Sequence, residues 1–306
     1  MKIAAHITSY LREKETLGLV EILLAIKPEI SKIYLVDNSE GKITYSISHP
    51  KVKIKYLDKN YGTAVAINES IQQAIEDKID WLWLFDDDSR PNSDSLVSLI
   101  EIIKIINTDN TVIVSMPYIT ENIADEYHIM HFPHKICRNR MVRVPIKEED
   151  FKKGFVYCDL VITSGSLLNI NLLKDNNIRM SAELFLDCVD YDFCYQLIKK
   201  NFKIICTLNT YFRHRLGVPR IFLKREIYGG SPERYRSIIR NHFVFFRYYL
   251  KADLFFIFRM AFWIAITAFC ESLIVKDFKF KRLITCFKGL SETEKLAQKL
   301  KYRYCE

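Results

Sequence analysis

Trp81-Leu82-Trp83-Leu84-Phe85-Asp86-Asp87-Asp88-Ser89 is an apolar run of strand length that ends, without a linker, in three adjacent carboxylates. In open α/β sheets ligands bind at the carboxyl ends of strands, so the triple Asp stands where a ligand would. Alternation along an extended chain puts Asp86 and Asp88 on one side and Asp87 on the other. Two carboxylates on one side repel unless a cation lies between them, and hard oxygen ligands favour Mg²⁺ or Mn²⁺. Such an ion would bridge them to a substrate diphosphate. Three Asp alone suit a solvated acidic turn capping the next helix equally well.

Outward from this strand, apolar runs alternate with amphipathic stretches of helix length, the βαβ rhythm of a parallel sheet. Upstream, Ile3 to Thr8, Ile33 to Val36 and Val52 to Leu57 predict strands, and Leu17 to Ile26 predicts a helix stopped by Pro28. A second helix is expected from Gly62 to Glu76, with Ala64, Ile67, Ile71, Ala74 and Ile75 at helical spacing. Downstream, Asn92-Ser93-Asp94 predicts a cap for a helix over Leu96 to Ile106, and Val112 to Met116 another strand. Residues 120–155 are less regular. A strand from Phe155 to Thr163, the turn Ser164-Gly165-Ser166 and a carboxylate-rich segment over 187–192 follow. From Arg234 long helical stretches dense in Phe, Tyr, Arg and Lys take over.

The 306 residues, 49% hydrophobic and 27% charged, allow one large or two small domains and exclude a disordered or collagen-like chain. Charge is unevenly placed. From Arg213 onward there are 20 basic and 8 acidic residues, against 25 and 29 before it, so an acidic body meets a basic last third that calls for an anionic partner. The N-terminus has no apolar h-region, which predicts no secretory signal and a cytoplasmic protein. Eight cysteines without a CxxC pair read as reduced core thiols rather than a zinc or disulfide framework. The longest apolar stretch, Met260 to Cys270, is bounded by Arg259 and Glu271 and falls short of the roughly 20 residues of a spanning helix, so no transmembrane segment is expected.

Asp187, Asp190 and Asp192 bunch closely enough for mutual repulsion to raise at least one pKa, as a general base requires, although an acidic helix N-terminus stabilised by the dipole has the same composition. His128, His131 and His134 are spaced by three; Pro133 opposes a helix and a strand would turn His131 away, so they are read as loop or surface histidines. Arg236, Arg240, Arg247 and Lys251 form one stripe on a helix, flanked by Phe243, Phe245, Phe246, Tyr248 and Tyr249. This suits the surface of an anionic membrane. The alternatives are a helical subdomain packed on the catalytic fold and a face for a second copy in a homo-oligomer. An acidic body without a nucleic-acid motif argues against nucleic acid.

In order along the chain, Ile33-Tyr34-Leu35-Val36-Asp37-Asn38-Ser39, Asn60-Tyr61-Gly62-Thr63, Asp86-Asp87-Asp88, Leu184 to Cys194 and Phe212-Arg213-His214-Arg215-Leu216-Gly217 resemble motifs of the family 2 glycosyltransferases with a GT-A fold, especially bacterial rhamnosyl- and galactofuranosyltransferase-like members. The resemblance covers roughly residues 3–217. It implies that Asp37, Asn38, Asn60 and Gly62 serve the nucleotide, that Asp86 and Asp87 contact the nucleotide sugar, and that Asp86, Asp88 and His214 hold a divalent cation, Mn²⁺ or Mg²⁺. Family position alone places Thr8, Ser9 and Arg12 around the nucleobase and Ser164 and Gly165 in a donor or acceptor loop. Aligned on the Asp-x-Asp/Glu-aromatic pattern, the catalytic base is Asp190, with Asp187 and Asp192 beside it. Gln196 stands where the family commonly has Arg, and Asp187-Cys188-Val189 where many members carry Glu-Asp.

The resemblance thus implies a mostly parallel α/β GT-A sheet flanked by helices in a catalytic domain over 1–217, with a basic helical region over 218–306. The expected function is metal-dependent, inverting transfer of a sugar from a UDP- or dTDP-linked donor to a polysaccharide or lipid-linked glycan, at the inner face of the cell membrane. A GT-A-like nucleotidyltransferase, which needs no base at Asp190, and an inactive membrane-binding module are the alternatives. Trp81 and Trp83 lean towards galactofuranosyl-like members, and the Phe185-x-Asp187-x-x-Asp190 spacing towards rhamnosyl-like ones.

Overall fold

The computed structural model describes the chain apart from residues 107, 122–126, 132, 215–218, 223–224, 229, 276–279 and 302–306. β1 (Ile3–Ser9), α1 (Glu13–Ala25), β2 (Lys32–Asp37), β3 (Val52–Tyr56), α2 (Thr63–Glu76) and β4 (Trp81–Asp86) follow in the expected rhythm. After them come β5 (Ser89–Pro91), α3 (Ser95–Ile105), β6 (Thr111–Ser115), β7 (Tyr118–Glu121), β8 (Tyr127–His131), β9 (His134–Cys137), β10 (Arg140–Arg143), α4 (Glu148–Lys153) and β11 (Phe155–Cys158). The chain continues through β12 (Leu167–Asn169), α5 (Ile170–Asp175), α6 (Val189–Lys199), β13 (Lys203–Thr207) and β14 (Phe212–His214).

Eight strands form the central sheet in the order β11-β13-β6-β12-β4-β1-β2-β3. β1 pairs in parallel with both β2 and β4, whereas β12 runs antiparallel between β4 and β6. The reason β4 reads as an unbroken apolar run is that both of its faces are covered. Leu82 and Leu84 pack with Ile67 and Ile71 of α2 and Phe193 of α6; Trp81, Trp83 and Phe85 pack with Leu19 and Leu23 of α1 and Leu96 and Leu99 of α3. Burial of each large side chain contributes about 1.5–3 kcal/mol. A slip of one residue would exchange the two sets, so the register that carries Asp86 to the strand end is strongly specified.

Several sequence expectations need correcting. β11 ends at Cys158, five residues short of Thr163, because the chain leaves the sheet there. Asp94 precedes α3 without a side-chain cap; instead Ser95 Oγ accepts a hydrogen bond from the Asn92 N–H at 3.0 Å. The irregular stretch holds the short strands β7 to β10, and the three histidines lie on strands rather than loops: His128 and His131 on β8, and His134, half-buried, on β9. All seven described cysteines are free, five of them buried; Cys305 lies outside the described residues.

Beyond the sheet lie a hairpin, β15 (Pro219–Phe222) and β16 (Arg225–Tyr228), and α7 (Pro232–Val244), prolonged by a π-helical turn over Phe245–Tyr249. α8 (Leu254–Ile274), α9 (Lys281–Ser291) and α10 (Thr293–Lys301) follow. The boundary expected at 217/218 lies outside the described residues. α7 packs directly on the segment before α6: buried Asn241 donates to the carbonyls of Leu184 (2.8 Å) and Asp187 (2.7 Å), and Tyr249 donates to Asp192 (2.9 Å). A buried carbonyl left unpaired costs about 1–3 kcal/mol, so α7 holds the carboxylate-rich segment in place.

Two further expectations change here. Arg236 pairs with Glu233 and Glu292, and Arg240 donates to the Glu183 carbonyl and lies 3.9 Å from Glu292, so half of the basic stripe is turned inward. And α8, at 21 residues, is long and apolar enough to cross a membrane, because the helix runs through Arg259 and Glu271, the residues that bounded the apolar stretch in the sequence.

Candidate active site

At the carboxyl ends of β1 and β4 a cleft of about 520 Å³ opens, lined by Asp86, Asp88, Asp187, Asp190, His214 and Arg12 among others. Asp86 closes β4, and the chain turns through Asp87 and Asp88 into β5. β14 pairs antiparallel with β5, with His214 opposite Ser89. This register sets His214 Nδ1 3.2 Å from Asp88 Oδ1 and 3.0 Å from Ser89 Oγ, across 125 residues of sequence. Ser89 Oγ in turn lies 2.8 Å from Ser164 Oγ, which accepts from the Asp86 N–H at 3.2 Å.

The electrostatics separate the three carboxylates. Burial pushes Asp86 up to about 6 and Asp87 up to about 7. Burial acts in the same direction on Asp88, but His214 and Arg12 outweigh it and hold that group below the ordinary carboxylate range. Arg12 Nη1 reaches Asp88 Oδ2 at 2.5 Å and Asp87 Oδ1 at 3.4 Å. His214 is pushed down by burial and up, on balance, by its contact with Asp88 and the charges of Asp88, Asp86 and Asp190.

Asp86, Asp88 and His214 each offer an atom within 4.8 Å of the others. Asp88 Oδ1 is buried with His214 Nδ1 3.2 Å away, while Oδ2 is occupied by Arg12. Two hard oxygens and an imidazole nitrogen are a donor set that fits Mn²⁺ or Mg²⁺, and the convergence of these three side chains in one cleft is the observation that favours a cation there.

In the same cleft, Asp190 in the first turn of α6 accepts at Oδ1 from the Thr163 hydroxyl (2.6 Å) and the Thr163 N–H (3.1 Å). Burial is the main cause that raises its pKa, with Thr163 opposing it and the Asp187 charge adding to it. Repulsion, the cause expected from the sequence, is therefore secondary. The charge of Asp190 is felt at both Asp86 and His214. Asp187 lies 3.7 Å from Arg234 Nε, its Oδ2 buried without a hydrogen bond, and burial raises it too. Asp192 does not line the cleft; it is buried and bonds to Tyr249 and Gln196.

The remaining expected residues divide. Thr8 lines the cleft, its hydroxyl 2.7 Å from His6 Nε2, whose Nδ1 lies 2.6 Å from Ser70; burial pushes His6 down to about 3, so this relay is neutral. Ser9 is buried against Thr16 and Tyr45, and Asp37 accepts from Ser39 and Tyr45. Asn38 donates to the Gly62 carbonyl and accepts from the Tyr61 N–H, while Asn60 accepts from the Gly62 N–H. These side chains shape the turn into α2. Gly62, at φ +83°, would bring a Cβ within 2.1 Å of the Phe185 carbonyl, so the turn presses on the loop before α6 as no other residue could. Gly165, at φ +79°, is pressed likewise against Phe212, and its N–H bonds to Leu84.

Thr163, Tyr118, Arg234 and His242 also line the cleft and were not singled out in the sequence. Arg234 and His242 stand on α7, and no local motif marks them. The one available signal was the turn before Ser164, which could have drawn in Thr163.

A sequence model described as Glycosyl transferase family 2 matches residues 5–164. No curated protein matches the chain. Among solved structures the chain is similar to that of GalNAc-T7 with UDP, GalNAc and Mn²⁺, at 12% identity and TM-score 0.56, over 80% of this chain and 48% of that one. It is also similar to S. aureus TarS (17% identity, TM-score 0.48, 83% and 40% covered) and to its residues 1–349 (15%, 0.48, 99% and 91%). The chain spans about half the length of the first of these structures or less of the second. At such identities the likeness is one of fold, and the fold is GT-A, a large mixed sheet flanked by helices with a helical C-terminal region.

Proposed function

The chain belongs to glycosyl transferase family 2, and from that premise we propose that it is a metal-dependent, inverting glycosyltransferase moving a rhamnose- or galactofuranose-like sugar from a nucleoside diphosphate to a polysaccharide or lipid-linked glycan. The observation that carries this reading is one cleft holding a carboxylate with raised proton affinity, Asp190, together with the Asp86, Asp88 and His214 set. Asp190 takes the proton of the acceptor hydroxyl as its oxygen bonds to the anomeric carbon, and the bond from that carbon to the diphosphate breaks in the same displacement. Thr163 orients Asp190 through two hydrogen bonds. Arg12, already against Asp87 and Asp88, brings positive charge to the side where the diphosphate departs. A divalent cation held by Asp86, Asp88 and His214 supplies further charge against that leaving group.

The test is a panel of UDP- and dTDP-sugars with Mn²⁺ or Mg²⁺, read as release of nucleoside diphosphate and as protection against heat unfolding. The structure of GalNAc-T7 with UDP and Mn²⁺ puts that pair first in the panel. Metal-dependent hydrolysis of at least one donor is expected; pyrophosphate release from a nucleoside triphosphate and sugar phosphate instead would move the chain to the nucleotidyltransferases.

Thr163→Val removes the hydroxyl bond to Asp190 and keeps the peptide N–H. A bond to a charged group contributes about 1.5–3 kcal/mol, and one pKa unit is about 1.4 kcal/mol, so the Asp190 carboxyl should rise by roughly one to two units. The base works deprotonated, so the acid limb of kcat against pH moves to higher pH by that amount. An unmoved limb would disconnect Thr163 from the base.

A further inference from the structure

α8 shows two unlike sides. At 100° per residue, Ile257, Ala261, Ala268 and Glu271 fall on one side and are buried; Phe255, Phe258, Phe262 and Phe269 fall on the other and are exposed, Phe255 by 78% and Phe258 by 64%. Trp263 beside them is 56% exposed. Only 22% of the apolar window of this helix is buried against the rest of the chain. Phe269 stacks on Phe280 (centroids 5.4 Å apart), which leads into α9, where Ile284 and Phe287 are exposed between the exposed Lys281 and Lys288.

We propose that α8 and α9 form a membrane-docking surface, with the aromatic side of α8 inserted at the headgroup–acyl boundary of an anionic bilayer and Arg259 and Lys288 at its phosphates. Charge decides the occupant. Arg259 is exposed amid the aromatic side, where a long cationic side chain reaches lipid phosphate while its stem stays in the apolar layer. No exposed acid of α8 faces it: Glu271 is buried beside Arg282 (3.4 Å), and Asp253, before the helix, lies 3.7 Å from Arg140. In a two-fold pair of copies this patch would meet itself and bring Arg259 towards its mate with no carboxylate between them. The Glu271–Arg282 pair and the bond from the Gly230 N–H to Glu271 (3.1 Å) fasten the other side of α8 to the protein, so the helix lies on the bilayer rather than through it. The surface stands independently of the glycosyl-transfer reading, and it is distinct from the α7 stripe, of which Arg236 and Arg240 are engaged within the chain.

Trp263 is the reporter, since Trp81 and Trp83, the other two tryptophans, are buried. The full chain is mixed with phosphatidylcholine vesicles, with and without 30% phosphatidylglycerol (roughly a bacterial anionic fraction). On the anionic vesicles the emission should shift to the blue, be quenched by lipid brominated high on the acyl chain, and be reversed by salt. Phe255→Ser/Phe258→Ser/Phe262→Ser, all at exposed positions, should bind at least about tenfold more weakly with unchanged circular dichroism and unchanged hydrolysis of a soluble donor, and Arg259→Gln/Lys288→Gln should lose the preference for anionic lipid. No spectral change and no sedimentation with either vesicle would overturn the proposal, as would self-association on the same face with vesicles inert. Quenching strongest from the bilayer centre would replace docking by spanning, and equal binding to neutral vesicles would remove the cations from the assignment.

Discussion

In an Asp190→Asn variant, sugar transfer is expected to fall by about 10²- to 10⁴-fold, the range over which a positioned general base contributes, with the fold and donor binding retained. The amide oxygen still accepts from the Thr163 N–H and hydroxyl, so the local hydrogen bonds survive while the proton acceptor is gone. The loss should appear in kcat with little change in KM for the donor, as for an interaction made only in the transition state. Asp187→Asn is the comparison, because Asp187 faces Arg234 at 3.7 Å and belongs to the same raised-pKa pair. A dead Asp187→Asn beside an active Asp190→Asn would hand the role of base to Asp187.

Asp88→Ala should abolish the metal-dependent part of donor binding. It removes the carboxylate proposed to face the cation and leaves Asp86 and His214 alone at the site, and a hard divalent ion with two protein ligands is weakly held. Donor and metal at a hundredfold their dissociation constant stabilise the native chain by about 2.7 kcal/mol through mass action. The variant should lose that protection in a thermal melt with UDP-sugar and Mn²⁺, while the melt without ligand still shows one cooperative transition. Protection that persists in full with Mn²⁺ would remove Asp88 from the metal site.

The strand Trp81 to Asp86 was legible because a strand covered on both faces is apolar along its length, whereas the meeting of Asp86 with Asp88 comes from the turn through Asp87 and Asp88 into β5 rather than from strand alternation. Asp190 was legible through an acidic helix start that also carries a family pattern. What stayed hidden in the sequence is a side chain's remote partner. Asp37, Asn38, Asn60 and Gly62, expected at the nucleotide, make hydrogen bonds that build the turn supporting α2 and, through Gly62, touch the Phe185 loop. Asp192 was counted with the catalytic carboxylates, but α6 carries it round to Tyr249. The stripe Arg236-Arg240 was sound helical geometry, and Glu292, 56 residues beyond Arg236, took it up.

The sequence by itself determined the alternation of the main strands and helices from β1 to β6 and the placing of three carboxylates at a strand end, because burial and periodicity are local properties that each residue expresses where it stands. Only the tertiary structure decided that His214 reaches Asp88, through the pairing of β14 with β5, that Thr163 serves Asp190, and that α7 contributes Arg234 and His242 to the same cleft. The direction of α8's aromatic side belongs with these. A single apolar run cannot say which of its faces a neighbour will cover, since that depends on α7 and α9 arriving from elsewhere in the chain to bury Ala261 and Ala268 and leave Phe255, Phe258 and Phe262 without cover.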